Sequence, residues 1–171
     1  MKRSRFLPVV MIALALALAF SAFAPAPVQA KRTVDNSIVD VALAVNAETG
    51  EFSTLIAALQ AAGLVEALDG RGKYTVFAPT DAAFAKLGLD ASNIGSLPTA
   101  ALTNILLYHV SPGLRTSDVV VKSERLKMLN RGFTTVTVNA DGVFINQSKI
   151  LAVDVRADNG VIHVIDTVLL P

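Results

Sequence analysis

The hydrophobic period of this chain changes once, near Pro112, and one stretch breaks the rule. Before that point apolar residues recur at helical spacing, and after it they alternate. The exception is Tyr74-Thr75-Val76-Phe77-Ala78, aromatic and β-branched, the mix that suits a half-buried strand. It has to join a sheet whose other strands come from the second half. Pro79 has no amide hydrogen and stops the ladder. Thr80 can cap a helix with its hydroxyl, and Asp81 puts a carboxylate in the first turn, where the helix dipole favours it. The third helical position is Ala83, so the capping box is only half present. Phe84 and Leu87 then share a helical face. A strand and a helix joined this tightly bury their apolar sides in one core.

The first half otherwise reads as helices. Ser37-Ile38-Val39-Asp40 fits a capping box with Asp in the return position, and Ile38, Val41, Ala42 and Val45 follow on one face. Phe52, Leu55, Ile56 and Leu59 repeat the spacing before a stop at Gly63, and Leu64, Val65 and Leu68 add a turn. Pro98 opens a third main helix carrying Leu102, Ile105, Leu106 and His109, halted by Ser111-Pro112-Gly113. In the second half, residues 116–121 read as a strand. Residues 135–138 and 143–146 form a hairpin around Asn139-Ala140-Asp141-Gly142. Residues 150–155 and 161–166 form another around Ala157-Asp158-Asn159-Gly160. The fold class is therefore α+β.

Residues 1–30 read as a signal peptide. Lys2, Arg3 and Arg5 precede an apolar run, Pro25 and Pro27 break it, and Val28-Gln29-Ala30 offers a cleavage site after Ala30. An uncleaved membrane anchor is the other reading, since residues 6–28 carry no charge. Residues 31–35 are a short polar start, and the domain proper covers 36–171. The leader distorts the charge balance. It holds three of the 15 basic residues and none of the 14 acidic ones, so the chain from Lys31 carries 12 against 14, a net charge of −2. No basic run remains, which argues against a nucleic-acid partner. No second hydrophobic span follows, so the processed chain is expected to have no membrane span. There is no cysteine, which excludes disulfides and thiolate metal sites. The fold must stand on its core, and 141 residues from Lys31 onward are enough for one.

Three separated stretches resemble the signature motifs of the fasciclin (FAS1) domain family. Thr75-Val76-Phe77-Ala78-Pro79-Thr80-Asp81, running on to Phe84, is similar to the first. Leu106-Leu107-Tyr108-His109-Val110 looks like the Tyr-His motif. Asn159-Gly160-Val161-Ile162-His163-Val164-Ile165-Asp166 looks like the closing signature. Their order and spacing agree over residues 36–170. The resemblance implies a β-wedge of two small sheets with the N-terminal helices packed alongside. It also implies a non-enzymatic interaction module of the cell surface or extracellular matrix, with an unidentified protein or glycan as partner. Secretion or a periplasmic location follows from the leader. Some animal members bind integrins around the Tyr-His motif; here no Arg-Gly-Asp occurs, and Asp118-Val119-Val120 is a loose echo. The resemblance marks Thr75, Phe77, Pro79, Thr80, Asp81, Phe84, His163 and Asp166 as motif residues of the fold.

Tyr108 and His109 are the candidate binding residues. Tyr108 lies off the Leu102, Ile105, Leu106 face, so its ring either projects as an interface anchor or tucks against the neighbouring strands. His109 is either a contact beside it or a helix-end histidine that satisfies backbone groups, the commoner use of a buried polar group. His163 alternates with Val161 and Ile165 and shares their face. No catalytic residue, metal site or cofactor is expected. A serine nucleophile would need one of only two histidines, and no i, i+4 histidine pair marks a zinc helix. Asp141-Gly142 and Asp158-Asn159-Gly160 are turn chemistry rather than calcium loops. The alternative function is binding of a small lipid or glycan between helices and sheet, which would need a deep apolar pocket. If both Phe77 and Phe84 are core, replacing either by Ala is expected to cost roughly 3–5 kcal/mol in urea melts.

Overall fold

Serine 37 starts the first helix by the expected reciprocal exchange. Its hydroxyl accepts from the Asp40 N–H, and the Asp40 carboxylate accepts from the Ser37 N–H. In this computed structural model the described residues are 36–171, and the signal peptide read in residues 1–30 and the short polar start at 31–35 lie outside them. The helix, Ile38–Thr49 (α1), is followed by Ser53–Ala61 (α2), Val65–Leu68 (α3), strand Tyr74–Pro79 (β1), Asp81–Ala85 (α4), a 3-10 turn at Ile94–Ser96 and Thr99–Tyr108 (α5). The second half holds Val110–Pro112 (β2), Ser117–Val120 (α6), Arg125–Lys127 (β3), Phe133–Asn139 (β4), Gly142–Ile145 (β5), Ser148–Ala157 (β6) and Gly160–Ile165 (β7). The class is α+β.

The strands follow the order β2-β1-β7-β6-β5-β4-β3. Neighbours run antiparallel except β1 and β7, which are parallel from Tyr74 opposite Gly160 to Pro79 opposite Ile165. β6 serves both halves of the wedge. Its start pairs with β5, its remainder pairs with β7, and two register shifts, between Ile150 and Ala152 and between Ala152 and Val155, bend it along the stretch paired with β7. The ends of the sheet come together: the Leu129 N–H donates to the Val110 carbonyl (2.8 Å), and the Ser111 hydroxyl donates to the Lys127 carbonyl (2.9 Å). That contact partly covers edges that would otherwise be open to another chain.

Two cores result, one on each face of β1. Val76 and Ala78 face the helices, joining Ile38, Phe52, Leu55, Phe84, Leu102, Ile162 and Val164. Phe77 points the other way, into the curl of the sheet, with Leu126, Met128, Ile145, Ile165 and Leu169. This is the two-residue alternation of a strand applied to a strand buried on both sides.

One strand expected from local pattern needs correction. Residues 116–121 are not a strand but the short helix α6. Val119-Val120-Val121 favours extended structure by propensity, but tertiary contacts decide. Asp154 accepts from the Ser117 N–H at the helix start, and Val120 is buried in the inner core. The helix does stop before Ser111-Pro112-Gly113, ending at Tyr108, and residues 110–112 go on as the short strand β2 because β1 offers them a free edge.

Long-range ties from side chains to backbone lock the helices to the sheet. α2 lacks a side-chain cap of its own. Asp81, which opens α4, supplies it: the Ser53 and Thr54 N–H groups donate to its two carboxylate oxygens (3.2 and 2.8 Å). Asn159, buried in the turn before β7, accepts from the Ile38 N–H (2.8 Å) and donates to the carbonyls of Leu68 (2.6 Å) and Gly70 (3.0 Å). Its own carbonyl accepts from the Tyr74 N–H. One residue thus joins α1, the end of α3, β1 and β7. Next to it, a Cβ on Gly160 would run into the Ile38 side chain and the Tyr74 carbonyl, so the helix packs on bare backbone there. Asn159→Ala leaves the buried Ile38 N–H and Leu68 carbonyl and the partly buried Gly70 carbonyl without this partner and is expected to cost about 3 kcal/mol by chemical denaturation. A loss below about 1 kcal/mol would show that solvent reaches those groups.

Candidate functional site

The Tyr-His pair sits where α5 ends, and both rings turn inward. Leu102 and Leu106 bury one face of α5. His109, the next residue after the helix, donates its Nδ1–H to the Ile105 carbonyl (2.8 Å) and accepts at Nε2 from the Leu169 N–H (2.8 Å). Those two bonds fix a neutral imidazole with its proton on Nδ1. The ring is 3% exposed, and burial pushes its pKa down to about 4. Tyr108 is 7% exposed and packs in the inner core. Its hydroxyl donates to the Phe133 carbonyl (2.7 Å) and accepts from the Asn146 side-chain amide (3.3 Å). The ring lies against Gly132, where any Cβ would come within 2.8 Å of it. Of the two placements open to Tyr108, the structure shows the tucked one. The pair therefore reaches three segments from inside: Tyr108 holds β4 and the end of β5, and His109 holds the C-terminal segment.

The other motif residues are also bound into the fold. The Thr75 hydroxyl donates to the Gly113 carbonyl and accepts from the Arg115 N–H (both 2.8 Å), fixing the loop after β2. Pro79 ends β1, the Thr80 hydroxyl accepts from the Ala83 N–H as the cap of α4, and Phe84 is buried among the helices. Asp166 accepts from the Lys149 N–H (2.9 Å) and pairs with Lys86 (3.8 Å). His163 is fully buried and stacks on Phe77, with ring centroids 5.5 Å apart. Its Nε2–H donates to the Arg115 carbonyl (2.8 Å), and its Nδ1 accepts from the Asp154 N–H (3.3 Å). Burial lowers its pKa.

Ser117, Asp154 and His163 are near one another without the wiring of a nucleophile. The Asp154 carboxylate grips the serine directly, and that hydrogen bond holds its carboxyl below the usual range. Both imidazole nitrogens are engaged with backbone, so none is free to take a serine proton. Among the described residues no group of three His, Asp or Glu is placed to hold a metal ion. Between the helices and β1 lie two apolar spaces of only about 20 and 40 Å³, lined around Leu59, Leu68, Leu106 and Val110. An open groove of about 510 Å³ runs along Asn146, Gln147, Thr167 and Leu170. The Tyr-His pair braces that groove through Asn146 and Leu169. The long-range bonds of Asn159, placed in a turn and in the closing signature, and of Asn146, placed at a strand end, escaped the sequence reading, because neither position announces a partner distant in the chain.

The histidines make stability depend on pH. His109 is neutral in the fold and has an ordinary value of 6.5 when unfolded, against about 4 when folded. A depressed pKa means that its contribution is complete above 6.5 and is lost as pH falls toward 4. Between pH 7.5 and pH 5 the urea-melt stability is expected to fall by about 2 kcal/mol through this group. His163 adds a loss of the same sign. His109→Gln, which cannot titrate, is expected to flatten the profile by its share; an unchanged slope would place the protonation elsewhere.

Comparison with known proteins agrees with this architecture. Residues 50–171 match the family model of the Fasciclin domain. The chain is 42% identical over 146 residues to protein sll1483 of Synechocystis sp., covering 84% of this chain and 79% of that protein. It is 42% identical over 120 residues to transforming growth factor-beta-induced protein ig-h3 of Sus scrofa, covering 70% of this chain but only 18% of that protein. With the immunogenic protein MPB70 of Mycobacterium bovis it shares 39% identity over 128 residues, 71% of this chain and 64% of that one. A FAS1 domain pair from the insect cell adhesion molecule fasciclin I superposes with a TM-score of 0.64 at 20% identity, over 81% of this chain and 52% of that chain. That likeness gives the fold. By motif, by sequence and by topology, the chain belongs to the fasciclin domain family.

Proposed function

We propose that residues 36–171 form an exported, non-enzymatic interaction module that contributes to cell-surface or extracellular-matrix adhesion through protein or glycan contacts. One observation carries the reading. The side chains that could do chemistry or line a pocket are spent inside the fold, and the interior is filled. Both histidines have their nitrogens engaged, and the apolar spaces between helices and sheet are about 20 and 40 Å³. A lipid or drug-sized ligand held between helices and sheet would need roughly 300–1,000 Å³ there, and the groove of about 510 Å³ along Asn146 and Leu170 is open and belongs to the outer surface. The outer surface is what remains for binding. Kinship supports adhesion as the use of that surface, since the insect protein with the shared fold is a cell adhesion molecule. Secretion or a periplasmic location follows from the leader read in residues 1–30. Among the described residues no helix is long and apolar enough to cross a membrane.

In this reading Tyr108 and His109 position the binding surface without touching the partner. Tyr108 fixes the backbone at Phe133 and the side chain at Asn146, both of which border the outside. The test is binding of the purified protein to its own cells and to extracted envelope or matrix. Saturable binding is expected. Tyr108→Phe keeps the ring and deletes the hydroxyl; it is expected to cost about 1 kcal/mol of stability and to weaken binding several-fold. Full-strength binding by folded Tyr108→Phe would move the contact surface away from Phe133 and Asn146. Wild-type protein that binds neither cells nor matrix would remove the reading.

A further inference from the structure

The sheet's outer face, from β3 to β6, carries one sign of charge beside one exposed ring, Phe133, and one partly buried ring, Phe144. The inward positions are settled by burial: Leu126, Thr134, Ile145 and Ser148 point inside. Alternation then puts Arg125 and Lys127 of β3, Phe133, Thr135 and Thr137 of β4, Phe144 of β5 and Lys149 of β6 on the outside. The register makes them neighbours. Lys127 is opposite Phe133, Arg125 is opposite Thr135, and Thr137, Phe144 and Lys149 form one row across three strands. Phe133 is 51% exposed, and the Arg125 guanidinium lies over its ring at 4.8 Å from the centroid. The Lys149 stem also lies along the face, with its Cε close to Gly142.

No outward position in this set is a carboxylate. Glu124 and Asp141 stand at its borders, and Asp166 beside the Lys149 backbone pairs with Lys86. Among the described residues Arg125, Lys127 and Lys149 have no ion-pair partner. This is a cationic face on a chain whose net charge from Lys31 is −2. Lysines on an outer sheet face can serve only to discourage aggregation. That role does not account for a phenyl ring held half-exposed among them, with a second ring and two threonines in the same rows.

The geometry points to this face as a binding site for an anionic polysaccharide, one carrying carboxylate or sulfate groups on its sugars. The inference rests on the adhesion reading and names its partner class. Each residue type has a counterpart in such a polymer. The rings stack against the C–H faces of sugars, the threonine hydroxyls exchange hydrogen bonds with sugar hydroxyls, and the cations meet the acidic groups. Four strands at about 4.8 Å spacing give a platform about 14 Å across, and Arg125 and Lys127 are about 7 Å apart along β3, room for an oligosaccharide. The strand backbones are already paired to one another, so a peptide could not add to this face as a strand. Three cations in a net acidic domain are also few for a nucleic-acid backbone.

The experiment measures binding of the purified protein to immobilised alginate, a uronate polymer, with neutral dextran and poly-glutamate as the other two surfaces. Binding to alginate, weakened by salt and absent on dextran, is the expected result. The triple variant Arg125→Gln, Lys127→Gln, Lys149→Gln is expected to lower alginate affinity at least tenfold, and Phe133→Ser alone several-fold. All four side chains are on the outer face, so both variants should melt as the wild type does; a variant that does not is replaced by the single substitutions. No alginate binding, or equal binding by the triple variant, overturns the proposal. Equal binding to poly-glutamate overturns it in favour of an acidic peptide. Binding to the protein's own cells separates the two levels. A wild type and a triple variant that bind cells equally leave the adhesion reading standing without this face, whereas a wild type that binds no cells removes the adhesion reading itself.

Discussion

The parallel pairing of β1 with β7 is the contact on which the rest of this domain depends. Tyr74 pairs with Gly160, 86 positions later, and the ladder continues to Pro79 opposite Ile165. The two strands are the wall between two cores. Val76, Ala78, Ile162 and Val164 face the helices; Phe77 and Ile165 face the inside of the curled sheet. A polar substitution on either strand is therefore felt on one core or the other, with no solvent face to absorb it. The His163 ring stacked on Phe77 belongs to the same wall, and it fits because both its nitrogens find backbone partners.

A chain without cysteine has to hold its loops by other means, and here buried polar side chains do so. Asn159 gathers α1, α3, β1 and β7, Asp81 caps a helix that begins 28 positions before it, and Thr75 pins the loop after β2. His109 holds the C-terminal segment and Tyr108 holds two strands. Each such bond is modest while it is made and expensive to lose, because the abandoned partner stays buried. The residues that look most chemical in the sequence are thus the ones most committed to structure.

Much of this was legible from local signals. The capping box at Ser37, the stop at Pro79, the Thr80 cap and the two late hairpins are written in residue types whose backbone consequences are short-range. What escaped was decided by partners distant in sequence. Residues 116–121 have the composition of a strand and became a helix because Asp154 receives Ser117 and the inner core receives Val120. Asp81 could be read as serving its own helix, but nothing nearby announces Ser53 and Thr54. The direction of Tyr108 depended on whether a bare backbone lay opposite, and Gly132 supplies it. The outer face of β3 to β6 was invisible for the same reason: Lys127 and Phe133 are neighbours only once the register is known.

The late position of β7 has a consequence for how the protein is made. On a ribosome, β1 emerges long before the strand it must lie beside, and neither core can close around a wall that is half missing. The helices of the first half would wait as loose, partly apolar segments, available to chaperones rather than committed to a compact state. Nearly the whole chain has to be synthesised before cooperative folding begins. A chain built this way stays open along most of its length until its last strand arrives.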